Sequence, residues 1–228
     1  MARRDAGLKR RASFAKHLVI MAKSPVLGRV KRRLGGEIGD VAALRFYRSC
    51  LSHTALRLAR DPRWRTVLAV ASDRDLAERF WPSRRSVGRL PQGEGDLGRR
   101  MQRLFARLPP GPTIIIGSDI PAIRPVHVVD AFRRLGRADA VLGPAPDGGY
   151  WLIGLKRTPK VLRPFAGVRW SGPHAFADTL ANLKGKRVAG SDVGRCRYGE
   201  GLAARARQRG ATHLQRQHAA SITRLIQT

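Results

Sequence analysis

Five short apolar runs recur along the chain: Leu18-Val19-Ile20, Thr66 to Ala71, Thr113 to Gly117, Ala138 to Leu142 and Trp151 to Leu155. Most are separated by stretches in which apolar residues return at helical spacing. Runs this short read as strands, and their unbroken apolar character marks strands covered on both faces. The alternation predicts an α/β fold, a largely parallel sheet with helices on both faces. In such sheets ligands sit beyond the carboxyl ends of the strands, so residues directly after a strand are the first candidates for function.

The helical stretches are predicted as follows. Glu37 to about Ala59 forms one helix, ended by Asp61-Pro62, and Asp73 caps a short helix through Phe80. Residues 82–95, rich in Pro, Ser, Arg and Gly, form a loop or weak strand. Asp96 opens a helix whose Leu97, Met101, Leu104, Phe105 and Leu108 make one apolar stripe. A helix runs from Pro125 to about Leu135, another is a candidate over Pro173 to Leu183, and Arg187-Val188-Ala189 reads as a last edge strand. The expected organisation is a basic N-terminal extension (1–16), one domain (17–198) and an Arg-rich helical tail (199–228). With 228 residues, 43% of them hydrophobic, one compact core is expected.

A formal net charge of +29 invites a nucleic-acid reading. Against it, the 37 Arg and 8 Lys are spread through every segment, and the aromatic residues, 6% of the chain, do not interleave with them as a base-stacking platform requires. Salt-dependent adhesion to polyanions is expected, but no specific nucleic-acid partner. No apolar run approaches a membrane span of ~20 residues, and residues 1–16 lack the apolar core of a secretory signal, so no membrane partner and no export are expected. Cys50 and Cys196 lie far apart with no partner at metal-ligand spacing, which fits a reducing cytoplasm. The six histidines are scattered, and there is no Gly-x-Ser-x-Gly elbow or Cys-His pair to support a serine or cysteine hydrolase.

Three stretches follow predicted strands. The first gathers Lys23, Arg29, Lys31, Arg32 and Arg33 around the turn residues Pro25 and Gly28. It is either a phosphate cradle of backbone amides and cations or a solvated basic turn, and it matches neither the Walker nor the dinucleotide pattern. The second is Ser118-Asp119. A carboxylate directly behind a wholly apolar strand needs a cationic partner, which a divalent ion bridging to phosphate would supply; alternatively Asp119 caps the next turn. The third, Asp147-Gly148-Gly149, is a hairpin turn or a place where a flat ligand approaches the main chain. Asp96, approached by Gln92, Gly93 and Gly95, is also readable as a helix cap alone.

Read in order, five blocks resemble a known family. They are Ala22-Lys23-x-Pro25-x-x-Gly28-x-Val30-Lys31-x-Arg33-Leu34, Gln92-Gly93-x-Gly95-Asp96-Leu97-Gly98-x-Arg100-Met101, Ile116-Gly117-Ser118-Asp119-x-Pro121, Gly143-Pro144-Ala145-x-Asp147-Gly148-Gly149-Tyr150-x-Leu152-Ile153-Gly154-Leu155, and Trp170-Ser171. Over about residues 17–184 they resemble the radical-SAM/selenodomain-associated transferases, within the nucleotide-diphospho-sugar transferase (glycosyltransferase-A-like) superfamily. The resemblance implies a Rossmann-like sheet with a nucleotide at its carboxyl edge and a divalent metal, Mg²⁺ or Mn²⁺. By the same resemblance Lys23, Gly28, Arg29, Lys31 and Arg33 hold phosphate, and Asp119 is the metal ligand. Gln92, Asp96 and Arg100, with Asp147, Gly148, Gly149 and Tyr150, wall the nucleotide or acceptor pocket, and Lys23, Lys31 and Asp119 carry the chemistry.

The chain departs from the family pattern twice. Arg32 stands where the family usually has Thr. Where the family carries an Asp-x-Asp-Thr segment, this chain has Ser191-Asp192-Val193-Gly194-Arg195, so Asp192 is the only candidate for a second metal ligand. Two transfers fit: a nucleotidyl group from a nucleoside triphosphate to a small phosphorylated or carboxylated acceptor, or a glycosyl group from a nucleotide-sugar. Three phosphates need more cationic compensation than two, and Ser118-Asp119-Ile120 has only one aspartate, so nucleotidyl transfer is the expected reaction. A non-catalytic basic module that binds nucleic acid is the alternative of another class.

Overall fold

Leu18, Val19 and Ile20 are each 0% exposed, so the strand that carries them is covered on both faces. In the computed structural model, which describes residues 14–82, 87–118, 120–157 and 160–191, this strand is β1 (His17–Ala22). The other strands are β2 (Arg65–Val70), β3 (Val87–Pro91), β4 (Gly111–Gly117), β5 (Ala140–Pro144), β6 (Tyr150–Arg157) and β7 (Val188–Gly190). The helices are α1 (Arg32–Ile38), α2 (Asp40–Leu58), α3 (Leu97–Arg107), α4 (Pro125–Arg137) and α5 (Ala175–Ala181).

One sheet holds the strands in the order β3-β2-β1-β4-β6-β5-β7. The β1–β2, β2–β3, β1–β4 and β5–β7 pairs are parallel, while β6 runs against both β4 and β5. The reversal has a simple cause: residues 145–149 are too short for a crossover, so β5 and β6 close as a hairpin. Alternate residues face two layers. Leu18, Ile20, Leu68 and Ile116 pack with Leu51 and Leu58 of α2 and Phe132 and Leu135 of α4. Val19, Val67, Ala69 and Ile115 pack with Met101, Leu104 and Phe105 of α3. The expected architecture, an α/β sheet covered on both faces, is the one observed. Among the described residues no helix is long and apolar enough to cross a membrane.

Three local expectations are corrected and a fourth is made definite. The helix expected over 37–59 is two helices, because Gly39 adopts φ 85, ψ 147, a conformation that ends α1 and starts α2. Arg32 and Arg33 belong to α1, so the basic loop closes at Lys31. The helix expected through Phe80 is only a 3-10 turn, Asp73–Asp75. There the Trp81 indole donates to Asp75 O (2.5 Å), and the Arg89 guanidinium donates to Leu76 O (2.9 Å) and Glu78 O (3.3 Å). Side chains satisfy the carbonyls that a helix would have used. Residues 87–91, expected as loop or weak strand, are the edge strand β3, whose mixed sequence is tolerated because only β2 flanks it. The tail at 199–228 and most of the N-terminal extension lie outside the described residues.

His17 sits in β1 at 3% exposure, and burial, then the charge of Arg65, hold its pKa below the ordinary 6.5. It is therefore neutral in the fold, while the unfolded chain takes up a proton as pH falls through 6.5. Stability from this group is full above pH 6.5 and declines below it, by at most ~1.4 kcal/mol per pH unit. Urea denaturation at pH 7.5 and 5.5 should show this decline, and His17→Phe should flatten it; an equally steep decline in the variant would refute the assignment.

Candidate active site

The carboxyl ends of β1, β2 and β4 meet residues 92–100 in a cleft of about 250 Å³. Its polar lining is Lys23, Lys31, Gln92, Arg100, Ser118 and Tyr47, with Leu97, Val30 and Ala71 supplying apolar wall. Every cation here comes from a strand end or a helix start. Lys23 is the first residue after β1, and Arg100 projects from the first turn of α3, its Nε donating to Gly95 O at 2.8 Å. Lys31 ends the loop in the left-handed conformation (φ 49), shared among described non-glycine residues only with Ser171. That conformation costs a non-glycine residue about 1–2 kcal/mol, and such strain gathers at functional sites.

The loop itself turns tightly. Val26 N donates to Ser24 O (2.8 Å) and Arg29 N to Val26 O (3.1 Å), and Gly28 takes φ 69. Arg29 is exposed and does not line the cleft. The side chain of Arg33 lies outside the described residues. Lys23 and Lys31 of the loop thus line the cleft, while Gly28 serves the turn.

Residues 92–96 are held from within the fold. Gln92, 4% exposed, donates both amide protons to main-chain carbonyls, Ala22 O (3.2 Å) and Ala69 O (2.7 Å). Arg103 in turn donates to Gln92 O (2.6 Å) and Glu94 O (3.0 Å). Asp96 caps α3, its Oδ1 accepting from Arg99 N at 2.7 Å, and it does not line the cleft. The simpler reading of Asp96 as a cap therefore describes its position. Gly98 lets α3 approach the turn that follows β6: a Cβ there would lie 2.8 Å from both Phe165 Cβ and Trp170 Cζ2.

The stretch Asp147 to Tyr150 lies at the same edge of the sheet, where β6 starts beside the end of β4, but outside the cleft lining. It is a hairpin turn. Gly148 N donates to Ala145 O (3.2 Å), Ala145 N to Gly149 O (3.0 Å), and Asp147 Oδ1 accepts from Gly149 N (3.0 Å). Gly148 O accepts from Phe176 N at 2.9 Å, fastening the turn under α5. Tyr150 packs edge-on against Trp170 with centroids 6.4 Å apart, and burial pushes its phenol pKa well up. Two blocks far apart in sequence, around Gly98 and Tyr150, are thereby joined through Trp170.

Asp119 and Asp192 lie outside the described residues. Among the described residues no group of three or more His, Cys, Asp or Glu could hold a metal ion, and the described cleft lining is cationic with no carboxylate. That described lining suits phosphate. Residues that sequence reasoning passed over as site members are Tyr47, Leu97 and Ser118. Ser118 and Leu97 were inside quoted blocks, whereas Tyr47 falls on the buried stripe of α2, where a tyrosine reads as core. A wider depression of about 630 Å³, lined by Arg57, Arg60, Asp61 and Arg63, lies apart from the three strand ends that form the cleft. Its Arg63 is paired with Asp61, and its Arg57 donates to the carbonyls of Pro121 and Ile123.

Residues 54–172, more than half of the chain, match the family described as "Uncharacterized protein conserved in bacteria (DUF2064)". The chain belongs to this family. The match includes the blocks at Gln92, Ile116, Gly143 and Trp170, and it begins after the Lys23–Lys31 loop. No curated protein matches this DUF2064 member. Among solved structures it is similar to a candidate nucleotide-diphospho-sugar transferase from Desulfovibrio desulfuricans G20: 25% identity, TM-score 0.74, 93% of this chain and 96% of the other. It shares its fold with the 4-diphosphocytidyl-2C-methyl-D-erythritol synthase of Anaerococcus prevotii DSM 20548 at 10% identity (TM-score 0.52; 78% of this chain, 88% of that one). A protein of Mycobacterium tuberculosis H37Rv shares it too, at 14% identity (TM-score 0.52; 81% and 90%).

Proposed function

We propose that this DUF2064 chain is a transferase that moves a nucleotidyl group from a nucleoside triphosphate to a small phosphorylated or carboxylated acceptor. The observation that supports it is the cleft at the carboxyl edge, whose described lining brings Lys23, Lys31 and Arg100 together without a carboxylate. In this reading Lys23 and Lys31 grip the β- and γ-phosphates and Arg100 closes on them from α3. An acceptor oxyanion attacks the α-phosphorus in line; the new P–O bond forms as the bond to the β-phosphate oxygen breaks. Pyrophosphate leaves with its charge held by the same three cations, so positioning and electrostatics do the catalysis and no covalent enzyme intermediate forms.

By the sequence blocks, Gly28, Arg29 and Arg33 are further candidates for phosphate, Gln92 and Asp96 shape the nucleotide side through the main chain they hold, and Asp147, Gly148, Gly149 and Tyr150 are candidates for the acceptor side. Asp119, next in the chain after cleft-lining Ser118, with Asp192 as second candidate, would hold the Mg²⁺ or Mn²⁺ whose chemistry is to neutralise charge at the α-phosphate. The narrower kinship with the radical-SAM/selenodomain-associated transferases and a cytoplasmic location belong to this proposal as well, resting on the sequence blocks and the wide spacing of Cys50 and Cys196.

The test is a melting-temperature panel of nucleoside triphosphates and nucleotide-sugars with Mg²⁺ or Mn²⁺, followed by product analysis. A ligand at 100 times its Kd should stabilise the fold by about 2.7 kcal/mol. Release of pyrophosphate is expected; release of a nucleoside diphosphate would instead assign glycosyl transfer. No shift from any member of the panel, together with a gel shift on nucleic acid that ignores Mg²⁺ and survives Asp119→Ala, would replace both with the non-catalytic basic module.

A further inference from the structure

Tyr47 is 4% exposed, held in α2 above the sheet, and its phenol reaches past the core to the end of β1. Its Oη accepts from Lys23 N at 2.9 Å and lies 3.0 Å from Lys23 O, to which it donates. The same oxygen is 3.2 Å from Ser118 Oγ, the residue directly after β4. With its proton on Lys23 O, the hydroxyl can accept from Ser118 as well. Both main-chain groups of the first cleft lysine and the first side chain after the central strand thus share a single atom, across sequence separations of 24 and 71 residues.

The residue before Lys23 is fixed as well: Ala22 O accepts from Ala71 N (3.0 Å) and from Gln92 Nε2 (3.2 Å). The root of the basic loop is therefore clamped on both sides. Beyond Pro25, whose carbonyl accepts from the Arg48 guanidinium at 3.3 Å, the described loop bonds only to itself up to Arg29. Where Lys23 points is decided at its root. A mobile lysine loses its entropy on binding an anion, whereas one on a fixed main chain has less to lose.

We infer that Tyr47 is a positioning residue for the phosphate site: its hydroxyl sets the direction of Lys23 and ties that lysine's main chain to the end of β4. This rests on the reading of the cleft as a phosphate site. In this role Tyr47 acts through Lys23. Burial of the ring belongs to the core, and only the oxygen belongs to the site, so Tyr47→Phe separates the two contributions.

The experiment uses the full chain and inorganic tripolyphosphate as probe, measured by calorimetry at fixed ionic strength for wild type, Tyr47→Phe, Lys23→Ala and the double variant. Tyr47→Phe should fold and bind the probe roughly 10-fold more weakly, about the worth of one hydrogen bond. Because Tyr47 acts through Lys23, the double variant should bind no more weakly than Lys23→Ala alone. An affinity of Tyr47→Phe equal to wild type, or losses that add in the double variant, would overturn the inference. Failure of wild type itself to bind tripolyphosphate would instead overturn the phosphate reading of the cleft.

Discussion

Lys23→Ala combined with Arg100→Ala should weaken binding of the nucleotide selected by the panel by roughly 10²–10⁴-fold, because each hydrogen bond to a charged group contributes about 1.5–3 kcal/mol. Lys23 is exposed, and Arg100 gives up only a main-chain bond to Gly95, so the ligand-free protein should melt close to wild type. The control is Arg137→Ala. Arg137 is an exposed arginine in the last turn of α4, away from the cleft lining, and its loss should change affinity by less than about twofold. The comparison matters in a chain of +29, where any anion binds somewhere. If the double variant and the control lose affinity alike, binding is diffuse and the cleft is not the site. Isothermal titration at constant ionic strength gives the answer directly.

The second large effect is on stability. Gly148→Val places a Cβ at a position 2.3 Å from Pro173 O and 2.5 Å from Pro173 Cα, with φ at +77. The obstacle is main chain, so no side chain can swing aside to relieve it. Left-handed strain of about 1–2 kcal/mol and overpacking of about 1–3 kcal/mol combine to a loss of roughly 2–5 kcal/mol. Against a domain stability of about 5–15 kcal/mol that is a large share, visible as a lower urea midpoint. Gly172→Ala is the paired control: its Cβ would meet nothing within 4 Å, and its cost should stay within about 0.5 kcal/mol. A mild Gly148→Val would mean that the turn and α5 move apart easily, and that the Asp147-Gly148-Gly149 block is conformationally free to serve a ligand rather than bound to the fold.

Taken together, the two cases separate what the blocks of this sequence do. Lys23, Lys31 and Arg100 line the cleft. Gly93, Gly98 and Gly148 have structural duties: Arg103, the pair Phe165 and Trp170, and Pro173 occupy the space a side chain would take. Asp96 caps a helix and Asp147 closes a turn. A block of motif residues beside a site is thus part chemistry and part carpentry, and the atoms around each residue tell which.

Much of this fold was legible from local chemistry. The runs at Leu18, Thr66, Thr113, Ala138 and Trp151 are strands because an unbroken apolar run must be covered on both faces. Asp96 is a cap because its carboxylate reaches an amide three residues ahead. The basic loop and Ser118 were expected at strand ends, and there they are. What failed locally was decided by partners out of sequence reach. The stretch after Asp73 had helix chemistry, but Trp81 and Arg89 took its carbonyls. The helix expected over 37–59 broke at one glycine whose backbone angles no neighbouring residue announces. Tyr47 was indistinguishable from core until α2 docked and set its hydroxyl between Lys23 and Ser118.

By itself, then, the sequence determined the layers, the direction of chain through most of the sheet, and the edge at which cations collect, since these follow from apolar continuity, turn residues and spacing along the chain. Only the tertiary structure decided which cations share a cleft and that a buried phenol ties the loop to the central strand. The phenol's contacts span 24 and 71 residues, and no local pattern carries information about a partner that only packing brings within 3.2 Å.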